Sequence, residues 1–429
     1  MPYPTTLRPI LALALLVLLA MGGPAWARVE TDLSAAGADV AKPPATPPDA
    51  VAAKAEQVAL AKLFQEAEQL YKDKKAAEAL AKYNEVLQQA PGNYTSLYRV
   101  ACCQAMLGKK AEAVAALQQA VDAGFLFFAQ LVNEPALKPL LDEKGVKDIL
   151  ADKEKRFQAN ADQRVSIYKG QFPAYRVLKD DPYRLIIATS LPEKELAQLQ
   201  GLLHAVADSL AADFFTHRPQ IYVGLLIPGS AAELAGLGLR PGTAGNYNPQ
   251  NRSLLINLGT GTGTMTHEFT HALHFADMEE RGQQHPMWVV EGLGSLYEQC
   301  TLRGGHMVGL VNWRLIVLKQ AIAQQKTLPL AAFLADSSAE FARNSPVSYA
   351  TARYVMLLLQ EKGLLKDWYA QYCAGFEQDP TGVKTLEKLY GKPLAEFEKD
   401  LYAFVEPLEF KMPGPPPAPS PAPAPEAPR

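Results

Sequence analysis

The chain has 429 residues, with 42 basic and 45 acidic side chains and a net charge of −3. That near-balance excludes a generally basic nucleic-acid binder and a strongly acidic solvating chain. A hydrophobic content of 48% suits core-forming units, of which the length allows about three at roughly 150 residues each. Histidine is scarce and uneven: five of the seven lie between His267 and His306.

Residues 1–27 read as an export signal. Arg8 precedes an uncharged apolar run over residues 10–19, and Ala25-Trp26-Ala27 has the small-x-small form of a cleavage site. The apolar stretch over residues 9–21 falls short of the ~20 residues that span a bilayer. Cleavage is therefore expected, giving an exported protein, periplasmic or secreted, with no membrane span. Residues 28–54, with Lys42-Pro43-Pro44 and Pro47-Pro48, read as a low-complexity linker.

Residues 55–160 read as an all-α helical repeat domain with a cap. Leu63 and Leu97, Ala67 and Ala101, Ala79 and Ala113, and Tyr83 and Leu117 are each 34 apart. Small residues at that period suit stacked helical hairpins. The segment resembles the tetratricopeptide repeat over about two units, without that family's aromatic near the start of each unit. The resemblance implies docking of a peptide or protein partner, with a structural spacer as the alternative.

Residues 165–410 read as an α+β domain. Strand-like runs occupy residues 183–189, 220–227 and 253–258, and a helical period covers residues 192–215. The loop from Gly259 to Gly263 lacks the lysine of a phosphate-binding loop. It reads as a lead-in to a helix with Thr264 as N-cap. Residues 411–429 are almost all Pro and Ala, the composition of a disordered or polyproline-II tail. Cys102 and Cys103 read as small helix-core residues, whereas Cys300 and Cys373 could pair in an oxidising compartment.

The chemistry concentrates in Thr266-His267-Glu268-Phe269-Thr270-His271. Two histidines four apart share one helix face, so both imidazoles can meet one Zn²⁺, one per chain. Glu268, beside the first, can reach a water without being a ligand. A third ligand is needed. Glu291, on a second helix after Pro286, is favoured, and Asp277 is the alternative. Gly292 and Gly294 predict close packing of the second helix on the first. His274 is expected to pack rather than bind. Trp288, Leu293, Leu296 and Tyr297 read as core.

His267-Glu268-Phe269-Thr270-His271 together with Trp288-Val289-Val290-Glu291-Gly292 resembles the gluzincin clan, whose members include thermolysin and the aminopeptidase N-like enzymes, and in particular the peptidase MA-like domains. The resemblance implies a zincin-like metallopeptidase fold over residues 165–410, with His267, His271 and Glu291 as zinc ligands and Glu268 as general base. It also suggests Tyr349 as the oxyanion donor, with Tyr354, His285 and His306 as rivals. Thermolysin-like members carry an aspartate four residues after the ligand glutamate, where this chain has Ser295, so a different group must orient the histidine. The strand at residues 253–258 is expected to be an edge that pairs with an extended peptide. No amine-binding motif is found, which favours an endopeptidase over an aminopeptidase. The competing expectation is a non-catalytic envelope scaffold that works through its repeats.

Overall fold

A computed structural model describes residues 48–237, 245–335 and 337–410. The stretches read as export signal and disordered tail, and most of the one read as linker, lie outside the described residues. The described chain is mostly helical with a small mixed sheet.

The N-terminal part is all helix: α1 (Pro48–Lys72), α2 (Ala76–Gln89), α3 (Tyr94–Met106) and α4 (Lys110–Asp122), each packed on the next. Helix α1 begins inside the stretch read as linker. Ala67, Ala79, Ala101 and Ala113, the small residues of the 34-residue period, are all fully buried. Without bulk at these positions the helix backbones can approach closely. The Asn93 side chain caps α3 by accepting the Ser96 N–H at 2.8 Å. Short helices α5 (Phe128–Asn133) and α6 (Lys144–Ala151) extend the stack. Helix α7 (Lys153–Gln171) runs through the stretch where the sequence suggests a domain boundary. It covers one face of the sheet, where Ala161 packs with Ile186 and Tyr222.

Five strands follow: β1 (Arg176–Asp180), β2 (Leu185–Thr189), β3 (Val223–Ile227), β4 (Asn246–Asn248) and β5 (Ser253–Leu255), in the spatial order β1-β2-β3-β5-β4. The inner pairings β2–β3 and β3–β5 are parallel, and β1 and β4 are antiparallel edges. Helix α8 (Glu193–Asp213) is the crossover from β2 to β3. It covers the second face, so β2 is buried at all five positions and reads as an unbroken apolar run. The short helix α9 (Ala231–Gly236) precedes β4.

Two expectations are corrected here. The strand at residues 253–258 is shorter and interior, and the edge is β4, whose Asn-rich sequence looks like a turn. Asn246 and Asn248 can serve there because an edge strand has one solvated side. Thr264 is not an N-cap: the next helix, α10 (Thr262–Arg281), starts two residues earlier after Gly261 and has no side-chain cap.

The remaining elements are α11 (Met287–Leu296), the hairpin β6 (Cys300–Arg303) and β7 (His306–Gly309), and helices α12 (Arg314–Ala323), α13 (Leu330–Leu334), α14 (Ser338–Arg343), α15 (Ser345–Glu361), α16 (Leu365–Ala374), α17 (Val383–Tyr390) and α18 (Leu394–Val405). One hydrophobic core joins the sheet, α8, α10, α11 and α15. Cys300 and Cys373, which the sequence left as a possible pair, are both free thiols. No helix among the described residues is long and apolar enough to cross a membrane.

Candidate metal centre

Helix α10 carries the centre. It ends at Gly282, whose φ of 65° is left-handed. The Gly282 and Gln283 N–H groups donate to the Glu279 and Met278 carbonyls, closing the helix. From Met265 to His274 every residue is buried. The Thr266 and Thr270 hydroxyls, which burial would otherwise leave unpaired, donate to the Thr262 and Thr266 carbonyls at 3.0 and 2.7 Å.

His267 and His271 meet on one face, with their Nε2 atoms 2.8 Å apart. Glu291, from α11, places Oε2 3.3 Å from each Nε2. All three residues are buried, and this group can hold a metal ion. Glu291 Oε2 has no hydrogen-bond partner, and the two Nε2 atoms face each other. Three lone-pair donors thus converge out of water with only one another as partners, which is unfavourable unless a proton or cation sits among them. The electrostatics agree. Burial opposes ionisation of Glu291, yet the His271 and His267 charges hold its carboxyl well below the usual range. Burial also opposes charge on His267, but Glu291 and Glu298 outweigh it and raise its pKa well above the ordinary histidine value. The cluster favours positive charge.

Glycine makes the convergence possible. A Cβ at Gly294 would lie 2.7 Å from His271 Cε1 and 3.3 Å from His267 Cε1, and one at Gly292 would lie 2.9 Å from Met356 Cγ. The close packing on α10 expected of both glycines is present at Gly294, whereas Gly292 packs against Met356 and Ala352 of α15.

Glu268 is buried, and its Oε2 accepts the Tyr247 N–H at 2.8 Å. The edge strand β4 therefore holds this carboxylate. Tyr349 is half-buried, and its ring lies 6.3 Å from the His267 ring at 22°. Ser295, in place of the aspartate of thermolysin-like members, turns its hydroxyl to the Glu291 carbonyl at 2.5 Å. The group facing His267 is instead Glu298, whose Oε1 lies 3.1 Å from Nδ1. Burial would raise the Glu298 pKa, but Arg314 and His267 lower it to about 2. Sequence reasoning missed Glu298 and Arg314. No local signal marked them: Glu298 lies just past the C-terminus of α11, beyond its helical periodicity, and Arg314 follows only after the β6–β7 hairpin.

The alternatives lie elsewhere. Asp277 is fully buried and accepts from the His217 backbone N–H at 3.0 Å, Arg281 Nε at 2.7 Å and the Tyr369 hydroxyl at 3.3 Å. It ties α10 to its neighbours and is not in the donor group. Because α10 continues past His274, Asp277 is carried two turns beyond the cluster. His274 stacks on Phe215 with ring centroids 5.1 Å apart, and its Nε2 lies 2.8 Å from His285 Nδ1. Of the rivals to Tyr349, His285 is in that buried pair, His306 binds Asp213 in the hairpin region, and the Tyr354 hydroxyl donates to the Asn312 carbonyl. A cavity of about 270 Å³ lies along α10 beside Ala272 and Ala276, and none of the three donors lines it.

A family model described as a protein of unknown function (DUF1570) matches residues 261–366. The match covers roughly a quarter of the chain and includes His267, Glu268, His271, Glu291, Glu298, Arg314 and Tyr349. No curated protein matches the sequence.

Proposed function

We propose that this chain is an exported zinc peptidase of the gluzincin type, with a thermolysin-like arrangement of the catalytic domain. The observation that carries the reading is the convergence of His267, His271 and Glu291 beside Glu268. Zinc bonds of about 2.0–2.1 Å in a tetrahedron put donors roughly 3.3 Å apart, which matches the spacing of Glu291 Oε2 from each imidazole. Two nitrogens and one carboxylate are the donor set of an open hydrolytic zinc site rather than a closed structural one. When bound, zinc supplies a Lewis acid and makes water a usable nucleophile near neutral pH.

The chain's own groups complete the reaction. Glu268, oriented by the Tyr247 N–H, takes the proton from the attacking water and passes it to the leaving amine nitrogen. Tyr349, beside His267, donates its hydroxyl to the carbonyl oxygen as negative charge develops there. The edge strand β4 offers its main chain to an extended peptide, which suits an endopeptidase. The helical repeats present a protein or peptide partner to this domain.

Replacing Glu268 with Gln tests the mechanism. Peptide hydrolysis is expected to fall by about 10²–10⁴-fold while the zinc content stays at one per chain. Full activity in Glu268→Gln would contradict the assigned role.

A further inference from the structure

We propose that Arg314 is a positioning residue of the metal centre: its guanidinium, in contact with two aromatic rings, fixes the Glu298 carboxylate against His267. This rests on the metal-binding part of the reading above and not on peptide hydrolysis.

Arg314 Nε and Nη2 donate to the two oxygens of Glu298 at 2.8 and 2.6 Å, a two-point clamp. Asn312 Nδ2 adds a third donor to Glu298 at 3.1 Å. The guanidinium carbon lies 4.5 Å from the centroid of the Trp313 ring and 4.8 Å from that of Tyr349. The Tyr349 ring in turn stacks on His267. His267, Glu298, Arg314 and Tyr349 therefore form a closed circuit of contacts, and Arg314 joins its two arms. Both members of the ion pair are largely buried, with side chains 12% and 14% exposed.

Two further observations argue against a merely local role. First, Arg314 is the first residue of α12, where a cation opposes the helix dipole. Its position is explained by the Glu298 contact rather than by helix stability. Second, His267 Nδ1 is buried and forms no hydrogen bond, and the acceptor facing it is Glu298 Oε1 at 3.1 Å. A histidine that gives its Nε2 lone pair to a metal must carry its proton on Nδ1, and a carboxylate there sets both tautomer and ring orientation. Glu298 can do this only while its own position is held. Lysine cannot replace Arg314, because a point charge neither spans both oxygens nor offers a planar guanidinium to the Trp313 and Tyr349 rings.

The test uses the full chain and Arg314→Lys, Arg314→Met, Glu298→Gln and the Arg314→Lys/Glu298→Gln pair. Zinc Kd is measured by competition with a chromophoric chelator, and the visible spectrum of the cobalt-substituted protein reports ligand geometry. Arg314→Lys is expected to weaken zinc binding by about 10-fold, at the low end for outer-shell partners, and to shift the cobalt bands. The paired variant is expected to bind zinc no more weakly than Glu298→Gln alone, since Arg314 acts through Glu298. Wild-type affinity and an unchanged cobalt spectrum in Arg314→Lys would overturn the inference, as would additive losses in the pair. A wild-type chain that binds no zinc would overturn the metal reading as well. If Arg314→Met fails to fold, the charge-conserving lysine variant still decides.

Discussion

Each half of the molecule buries a charged cluster, and the two are built in opposite ways. Among the repeats, Arg99 clamps Glu68 at 2.7 and 3.0 Å and reaches Glu134 at 3.5 Å. The Tyr83 hydroxyl donates to Glu68 at 2.6 Å and the Tyr71 hydroxyl to Glu134 at 2.9 Å. That cluster satisfies itself and joins α1, α2, α3 and the chain after α5. Where His267, His271 and Glu291 converge, the two Nε2 atoms and Glu291 Oε2 meet only one another, with no cationic side chain among them, and Glu291 Oε2 forms no hydrogen bond. A closed network holds a fold together. Convergent donors without a partner predict something to be bound, because burying them empty is unfavourable.

Acid should separate the two halves most strongly. Residues 48–160 contain no histidine, whereas the metal half buries His274 against His285. Burial lowers the pKa of His285 from 6.5 to about 3 and that of His274 well below its usual value. Both residues are neutral at pH 7 in the folded and unfolded chain. Below pH 6.5 only the unfolded chain gains their protons, so stability is lost as pH falls from 6.5 toward 3. His285 alone should account for about 3 kcal/mol by pH 4, at 1.36 kcal/mol per pH unit. Denaturant unfolding followed from pH 7 to pH 4 checks this, and His285→Gln should flatten the dependence. An equally steep fall in that variant would count against the assignment.

Zinc should act on one cluster only. At 100 times Kd it should add about 2.7 kcal/mol to the stability of the metal half, and His271→Ala should remove the gain. Thermal melts with and without zinc would show it, and Arg99→Met should leave the gain intact. Arg99→Met should instead weaken the repeat half by about 2 kcal/mol, below the loss for a fully buried broken pair because water reaches Glu68 and Glu134. Urea unfolding would measure that loss. The smallest effect is expected from Gly294→Ala. It should cost about 1 kcal/mol through overpacking against the imidazoles, together with weaker zinc binding, seen by titration. Unaltered affinity would mean that the imidazoles can move aside.

What the sequence makes legible follows from the range of the forces involved. His267 and His271 are placed by helical periodicity, and Glu291 by a second helix that Gly294 lets approach the imidazoles. The buried alanines of the repeats follow from a fixed period. Legibility ends where contacts are long-range. The clamp of Arg314 on Glu298 joins two elements across the β6–β7 hairpin, which local patterning does not reveal. The edge of the sheet is β4 rather than β5 because pairing order, not composition, decides which strand is last. Whether Cys300 and Cys373 pair stayed open for a similar reason, since separation along the chain says nothing about distance in space.

The central claim is that His267, His271 and Glu291 form a metal-binding site. Elemental analysis of the purified full chain after zinc exchange, alongside His271→Ala and Glu291→Gln, tests it most directly. The wild-type chain should hold one zinc, and both variants should lose tight binding. Wild-type protein without zinc, or variants that retain it, would mean that His267, His271 and Glu291 do not form a metal site.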